Sequence, residues 1–432
     1  MPGRSMIRYR KKPAPIRGVV AVPGSKYLAN RVLLLAALAR GESRVENCPS
    51  NEDLDRAEQF ISWIGADIRR QNEARSVRGV SGLPKVTPNG EFSCGASGTL
   101  ARWSLAILAL ARAPSRITGE GRLLERPMGE LVAALERLGA RIEPQGAQTL
   151  PVSIQGPLEG GRVVLSGRVS SQFGSALLAI APLTPSGLIL DFEAPPVSAS
   201  YLALTLQAMG DFGVKYEEVG KSSWVVPGGQ SYRATKFRIA PDPVLASYFM
   251  ALPAVTGGSI RIPDLKPGTG GESRFVGLLQ AMGCGVEADA SGVTIREPAQ
   301  GLRPLGSIDL ADAPDIVPTL AVLAALAPQG TTILTGISHL RHKESDRLYD
   351  LALELARAGL YVTAEADALR IEGGGRLKCV TLDVHGDHRL AMSFALLAIA
   401  KPGLAIQGEE SVGKSFPGFW QALERLGLGR PE

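Results

Sequence analysis

Cysteine is scarce in this chain, and the little there is lies scattered. Cys48, Cys94, Cys284 and Cys379 stand far apart with no Cys-x-x-Cys spacing. That excludes a disulfide framework and a zinc ribbon, and reduced cytosolic thiols are the plain reading. Aromatic residues make up only 5% of the chain and do not interleave with basic runs. A stacking platform for single-stranded nucleic acid is therefore not expected. No apolar run approaches the roughly 18 to 20 residues that a membrane span requires. The longest, at 176–190, is broken by Pro182 and Pro185. The first 17 residues are basic (Arg4, Arg8, Arg10, Lys11, Lys12, Arg17) but lack the apolar core of a signal peptide. They read as a frayed extension rather than a nucleic-acid arm. Together these absences predict a cytoplasmic protein with neither membrane nor nucleic acid among its partners.

What is present is an ordinary globular composition, 45% hydrophobic, with a net charge of +5 that favours acidic partners. A length of 432 residues allows two or three domains with ample core. One pattern recurs at about one-sixth of the chain: an amphipathic helix that ends in glycine and is followed by a short strand-like run. The glycines are Gly65, Gly139, Gly213, Gly283, Gly359 and Gly427. Glycine just past a helix end is the expected left-handed cap. Each unit also begins with an Ala/Leu-rich helical stretch, at 29–39, 99–111, 170–181, 244–255, 316–327 and 388–400. Repeats this long are not solenoid units, and they predict six small α/β modules. Three-module halves divide near Val22-Pro23-Gly24 and Ile239-Ala240-Pro241, giving 24–240 and 1–23 plus 241–432. A strand at 19–22 would belong with the second of these.

Helix starts expose unpaired N–H groups and the positive end of the dipole, so they suit phosphates and carboxylates. The chemistry-bearing residues cluster there. Arg341-His342-Lys343-Glu344-Ser345-Asp346-Arg347 packs five charged side chains and a histidine before an apolar helical pattern. Alone, such a cluster is a solvated first turn. Lys26 and Arg31 sit at or near the start of the first helix, where cations oppose the dipole and need an anion to justify them. Gly95-Ala96-Ser97-Gly98-Thr99 is a small-residue loop that a phosphate can approach closely. Ser170-Ser171-Gln172 offers two hydroxyls, although serine at an N-cap needs no ligand. Glu125-Arg126-Pro127 puts proline at the first helical position. Asp315 is either an N-cap or a partly buried general base. Asp387-His388-Arg389 and Lys414-Ser415 complete the set.

Two patterns mislead. Residues 408–415 fit GxxxxGK[ST], but too little chain follows for a parallel phosphate-binding core, and Glu409 and Glu410 would repel phosphate. The histidines form the pairs His339/His342 and His385/His388 without a third spaced ligand, so no metal site is expected.

Taken together the motifs resemble the 5-enolpyruvylshikimate-3-phosphate (EPSP) synthase family over about residues 19–419. They are Pro23-Gly24-Ser25-Lys26, Glu125-Arg126-Pro127-Met128-Gly129, Val169-Ser170-Ser171-Gln172-Phe173, Lys343-Glu344-Ser345-Asp346-Arg347-Leu348, Asp387-His388-Arg389-Leu390-Ala391-Met392 and Gly413-Lys414-Ser415-Phe416-Pro417. The resemblance implies the two-domain enolpyruvyl transferase fold, α/β (or α+β) in class. Six βαβαββ modules, three per domain, form its inside-out α/β barrels. It implies carboxyvinyl transfer from phosphoenolpyruvate (PEP) to the 5-hydroxyl of shikimate 3-phosphate, by a monomer needing no metal or organic cofactor. It would put PEP against Lys26, Gly98, Arg126, Gln172, Arg347, Arg389 and Lys414. Glu344 would be the proton-transfer acid, Asp315 the base, and Lys343 a companion to both. The acceptor would meet Ser170, Ser171, Ser198, Tyr201 and Arg31.

The chain departs from the family pattern at Tyr27, Ala96 and His339, where the family has Ser, Asn and Asn. Tyr27 and His339 neighbour the acceptor, so a related transferase acting on another acidic or phosphorylated acceptor is the alternative. The related UDP-N-acetylglucosamine transferase is disfavoured, because its catalytic cysteine loop corresponds to 122–128, which has no cysteine. A non-catalytic anion-binding homologue would have no need of both Asp315 and Glu344.

Overall fold

In the computed structural model the described residues are 6–11, 13–220, 222–268 and 270–428. Arg4 and Lys12 of the basic N-terminal run therefore lie outside them. The chain divides into two compact units, Gly24–Ile239 and Met1–Pro23 with Ala240–Glu432.

Among the described residues, Gly24–Ile239 holds six α-helices: α1 (Lys26–Leu38), α2 (Glu52–Trp63), α3 (Gly98–Leu108), α4 (Gly129–Arg137), α5 (Ser171–Ile180) and α6 (Ala199–Asp211). Helices α1, α3 and α5 are apolar nearly all round because they are buried on all sides; Leu33, Leu34, Leu35, Leu105 and Leu177 are fully enclosed. Helix α1 packs on α2 and α6, and α5 on α3 and α6. Three four-stranded sheets surround them, and all use one order. A first strand pairs parallel with a second, which pairs antiparallel with the fourth, and the third forms the edge. Thus Gly90–Ser93 lies parallel to Ser115–Thr118, which meets Val152–Gln155 antiparallel, with Arg141–Glu143 outermost. The parallel pair requires a crossover, which the buried helix supplies. Strand residues alternate between core and outside, as in Gly161–Leu165, where Val163 and Leu165 are buried and Val164 is exposed. Helices inside and sheets outside make this an inside-out arrangement. In the first sheet the leading strand is Lys236–Arg238, from the far end of the unit.

The other unit repeats the scheme with α7 (Pro243–Met250), α8 (Leu252–Thr256), α9 (Phe275–Ala281), α10 (Val317–Ala325), α11 (Arg347–Arg357), α12 (His388–Ala400) and α13 (Phe419–Leu423). The leading strand of its first sheet is Ile16–Val19, parallel to Gly258–Pro263. The strand thus lies earlier than the 19–22 expected, and only Val20 continues toward Arg261 with a 2.9 Å bond. The frayed-extension reading also fails for residues 6–9 and 16–17. Met6–Arg8 pairs antiparallel with Ala405–Gln407 and completes a three-stranded sheet with Thr381–Asp383. Ile7 and Tyr9 are buried there, and a sheet edge that gains a partner accounts for the ordering.

Other expectations are adjusted locally. The stretch 244–255 is two helices, because Pro253 offers no N–H to continue the first. Residues 408–415 form a short 3-10 turn at Glu409–Lys414 and not a long helix under a phosphate loop. Pro127 precedes the helix boundary at Met128 and does not occupy the first helical position. The six module glycines all have positive φ, from +79° at Gly427 to +108° at Gly139, a backbone that L side chains rarely adopt.

Candidate functional site

Arg347 opens α11 and is 1% exposed in its side chain. A guanidinium so deeply enclosed needs anions, and three carboxylates supply them. Arg347 donates to Asp315 Oδ1 at 2.7 Å, to Glu344 Oε2 at 2.8 Å, and to Asp387 Oδ2 at 2.8 Å. Burial pulls this guanidinium down, but the charges of Asp387, Glu344 and Asp315 outweigh it and hold it above the ordinary arginine value. Two further cations join them. Lys414 Nζ lies 3.2 Å from Glu344 Oε1, and an Arg389 nitrogen lies 3.9 Å from Asp315 Oδ2. Arg389 also donates to the Tyr248 hydroxyl, which burial pushes up to about 12. The Arg341–Arg347 cluster is therefore only partly a solvated first turn. Arg341 and Asp346 form an outer pair at 3.2 Å, while Arg347 points into the protein.

Asp387 serves twice: its Oδ1 caps α12 by accepting from Arg389 N at 2.8 Å, and its carboxylate holds Arg347. Asp315 is no N-cap. It sits in the 3-10 turn Pro314–Ile316, 4% exposed, with its carboxylate on Arg347.

In the Gly24–Ile239 unit, Lys26 is the first residue of α1, buried, with Nζ 2.8 Å from Asp53 Oδ2. Arg31 lies one turn on, 1% exposed, donating to Thr205 Oγ1 at 2.7 Å and to the Tyr27 carbonyl at 2.9 Å. Burial lowers Arg31 to about 10, which still leaves a cation at neutral pH. The Tyr27 and Tyr201 rings pack with centroids 4.7 Å apart, and Arg31 lies 5.8 Å from the Tyr201 ring. At α3, Gly98 is enclosed by two guanidiniums: an added Cβ would come within 2.4 Å of Arg126 and 2.7 Å of Arg102. Arg102 donates to the Gly98 carbonyl and to Gln172 Oε1, and Gln172 in turn donates to Thr99. Ser170 caps α5 through Gln172 N, Ser171 is buried beside it, and Ser198 starts α6 in a left-handed conformation, φ +55°. Ala96 is exposed in its loop.

A family model for EPSP synthase (3-phosphoshikimate 1-carboxyvinyltransferase) matches residues 10–423. A 3-phosphoshikimate 1-carboxyvinyltransferase of Methanosphaerula palustris is 40% identical over 96% of this chain and 98% of its own length. Its counterpart in Methanoculleus marisnigri is 38% identical with the same coverage. The chain belongs to the EPSP synthase family. The solved EPSP synthase of Acinetobacter baumannii superposes with a TM-score of 0.79 at 26% identity, over 98% of both chains. An enolpyruvyl transferase from Streptomyces tendae, 19% identical, shares the fold with a TM-score of 0.77.

Against that family background, sequence reasoning missed two groups. Asp53 holds Lys26, yet in the sequence it is one of three acids in the first turn of α2, where the dipole alone explains them. Arg102 had a usable signal, since it is a lone charge inside an apolar helix. His339, expected from the sequence to depart from the family pattern, is 6% exposed in the turn Ser338–His342, and neither ring nitrogen has a hydrogen-bond partner. Burial, and then the charge of Lys343, lower it to about 3, so the imidazole is neutral. The described residues contain no group of three or more side chains able to hold a metal.

A base whose folded pKa is depressed destabilises the fold as pH falls, because the unfolded chain takes a proton that the folded one refuses. For His339 that window runs from about 6.5 down to about 3. In thermal melts at pH 7.5, 6 and 4.5, the His339→Asn variant should therefore gain steadily on the parent as pH drops. A stability difference that does not change with pH would refute the assignment.

Proposed function

We propose that the protein is a 3-phosphoshikimate 1-carboxyvinyltransferase, moving the enolpyruvyl group of PEP to the 5-hydroxyl of shikimate 3-phosphate. One observation carries the chemistry: a single guanidinium, Arg347, holds Asp315 and Glu344 at 2.7 and 2.8 Å. The reaction needs an acid and a base close together, and these two carboxylates are their candidates. Asp315 takes the proton of the acceptor hydroxyl as its oxygen bonds to C2 of PEP, and Glu344 delivers a proton to C3. The Glu344 carboxylate then takes back a proton from the C3 methyl group of the tetrahedral adduct as the C–O bond to phosphate breaks, which regenerates the vinyl group and releases phosphate.

Arg347, Arg389, Lys414, Lys26, Gly98, Arg126 and Gln172 are the proposed PEP contacts. Cations around a small trianion stabilise the charge that grows on the departing phosphate. Ser170, Ser171, Ser198, Tyr201, Arg31, Tyr27, His339, Lys343 and Asp315 are the proposed acceptor contacts. Addition, proton transfer and phosphate loss are all served by these side chains, so the proposed chemistry calls on no metal or organic cofactor.

The test is phosphate release. It should require both PEP and shikimate 3-phosphate, whereas release from PEP alone, or none with both, would refute the reading. The Tyr27–Tyr201 pair makes shikimate 3-phosphate the compound to vary, against other cyclic acids and phosphates.

Gly98→Ala tests Arg126 at the donor site. The added Cβ would meet Arg126 and Arg102, and Arg102 is buried and bonded to the Gly98 carbonyl and Gln172, so about 1 kcal/mol of stability should be lost. Arg126 must also swing away from its place beside the donor, and KM for PEP should rise about tenfold, the loss of one charge-assisted bond. An unchanged KM would remove Arg126 from the donor site.

A further inference from the structure

Lys26 stands where a lysine is poorly tolerated. It opens α1, its N-cap Ser25 makes no side-chain capping bond, and the helix dipole opposes a cation there. The side chain is also buried, at 4% residual exposure. Its hydrogen-bond and ion-pair partner among the described residues is the Asp53 carboxylate, 27 positions away, at 2.8 Å. Asp53 is itself buried and lies in the first turn of α2, where the dipole favours an acid. It does not cap that helix, since Asn51 already accepts from Leu54 N. The pair therefore joins two helix starts of one unit, and the carboxylate's one evident task is to hold the ammonium.

We infer that Asp53 is a resident counter-ion that Lys26 exchanges for the donor phosphate and returns to as phosphate leaves. This rests on the reading that Lys26 contacts PEP. With no anion bound, an unpaired ammonium in this position would be a buried charge, and Asp53 offsets that cost. When the donor arrives, its phosphate competes with Asp53 for the same N–H groups. The apparent affinity for phosphate is lowered by whatever the internal pair is worth, which favours release of the product. Asp53 touches neither substrate in this scheme; it is a positioning residue acting through Lys26.

The scheme has an unusual sign. Asp53→Asn keeps the shape and an acceptor oxygen but removes the charge. Inorganic phosphate should then inhibit more tightly against PEP, by about tenfold for the loss of one opposing charge at contact distance. KM for PEP should fall and kcat should fall with it, while KM for shikimate 3-phosphate stays unchanged. A merely structural Asp53 would instead weaken PEP and phosphate together, and that result, or no change in phosphate inhibition, overturns the proposal. Asp53→Ser repeats the measurement should the asparagine variant not fold. Lys26→Met is the control: if phosphate inhibition survives it intact, the assignment of Lys26 to the donor fails first. If Lys26→Met abolishes inhibition but Asp53→Asn does not tighten it, the counter-ion proposal alone is wrong.

Discussion

Arg347→Met abolishes turnover and costs about 3 to 5 kcal/mol of stability, the range for breaking a buried charge network by removing one side. Methionine fills much of the volume, so little of this loss comes from a cavity. It comes from taking the shared guanidinium away from three carboxylates, Asp315 and Asp387 almost fully enclosed, while Lys414 stays 3.2 Å from Glu344 and an Arg389 nitrogen 3.9 Å from Asp315. Urea denaturation at pH 7.5 reads the deficit. A loss under about 1 kcal/mol at pH 7.5, the level of an exposed pair, would show that the network is solvated and the burial argument wrong.

Asp315→Asn should lower kcat by about a thousandfold, within the span of roughly 10² to 10⁴ for a lost general base. The substitution is nearly isosteric, and the amide oxygen can still accept from Arg347 at the 2.7 Å position. The remaining carboxylates continue to hold Arg347, so melting should shift by only a few degrees and KM for PEP by a small factor. Asp315→Glu should recover part of the rate, because it restores a base, though a displaced one. If asparagine costs less than about tenfold in kcat, the acceptor proton goes elsewhere and Asp315 only orients Arg347.

The module rhythm was legible because its signals are local. A helix that must end needs a residue tolerant of positive φ, and Gly65, Gly139, Gly213, Gly283, Gly359 and Gly427 all adopt it. The buried helices were legible for a similar reason: a helix apolar on every side has to be enclosed, as α1, α3, α5, α10 and α12 are. The motifs at helix starts pointed to anions before any geometry was available, since cations there contradict the dipole.

Local pattern had no means of reaching across the chain. Arg347 meets Asp315 and Asp387 at separations of 32 and 40 residues, and Arg31 meets Thr205 at 174. Met6–Arg8 joins Ala405–Gln407 almost a full chain length away, which is why a basic N-terminal stretch looked frayed. Which residues carry charge, where helices begin and end, and the family to which those motifs are similar could be read along the chain. Which carboxylate each cation holds, that Asp53 answers Lys26, and that His339 is buried and neutral came from packing. Propensity and capping act within a turn or two of helix, whereas ion pairs, desolvation and strand register depend on which surfaces packing brings together.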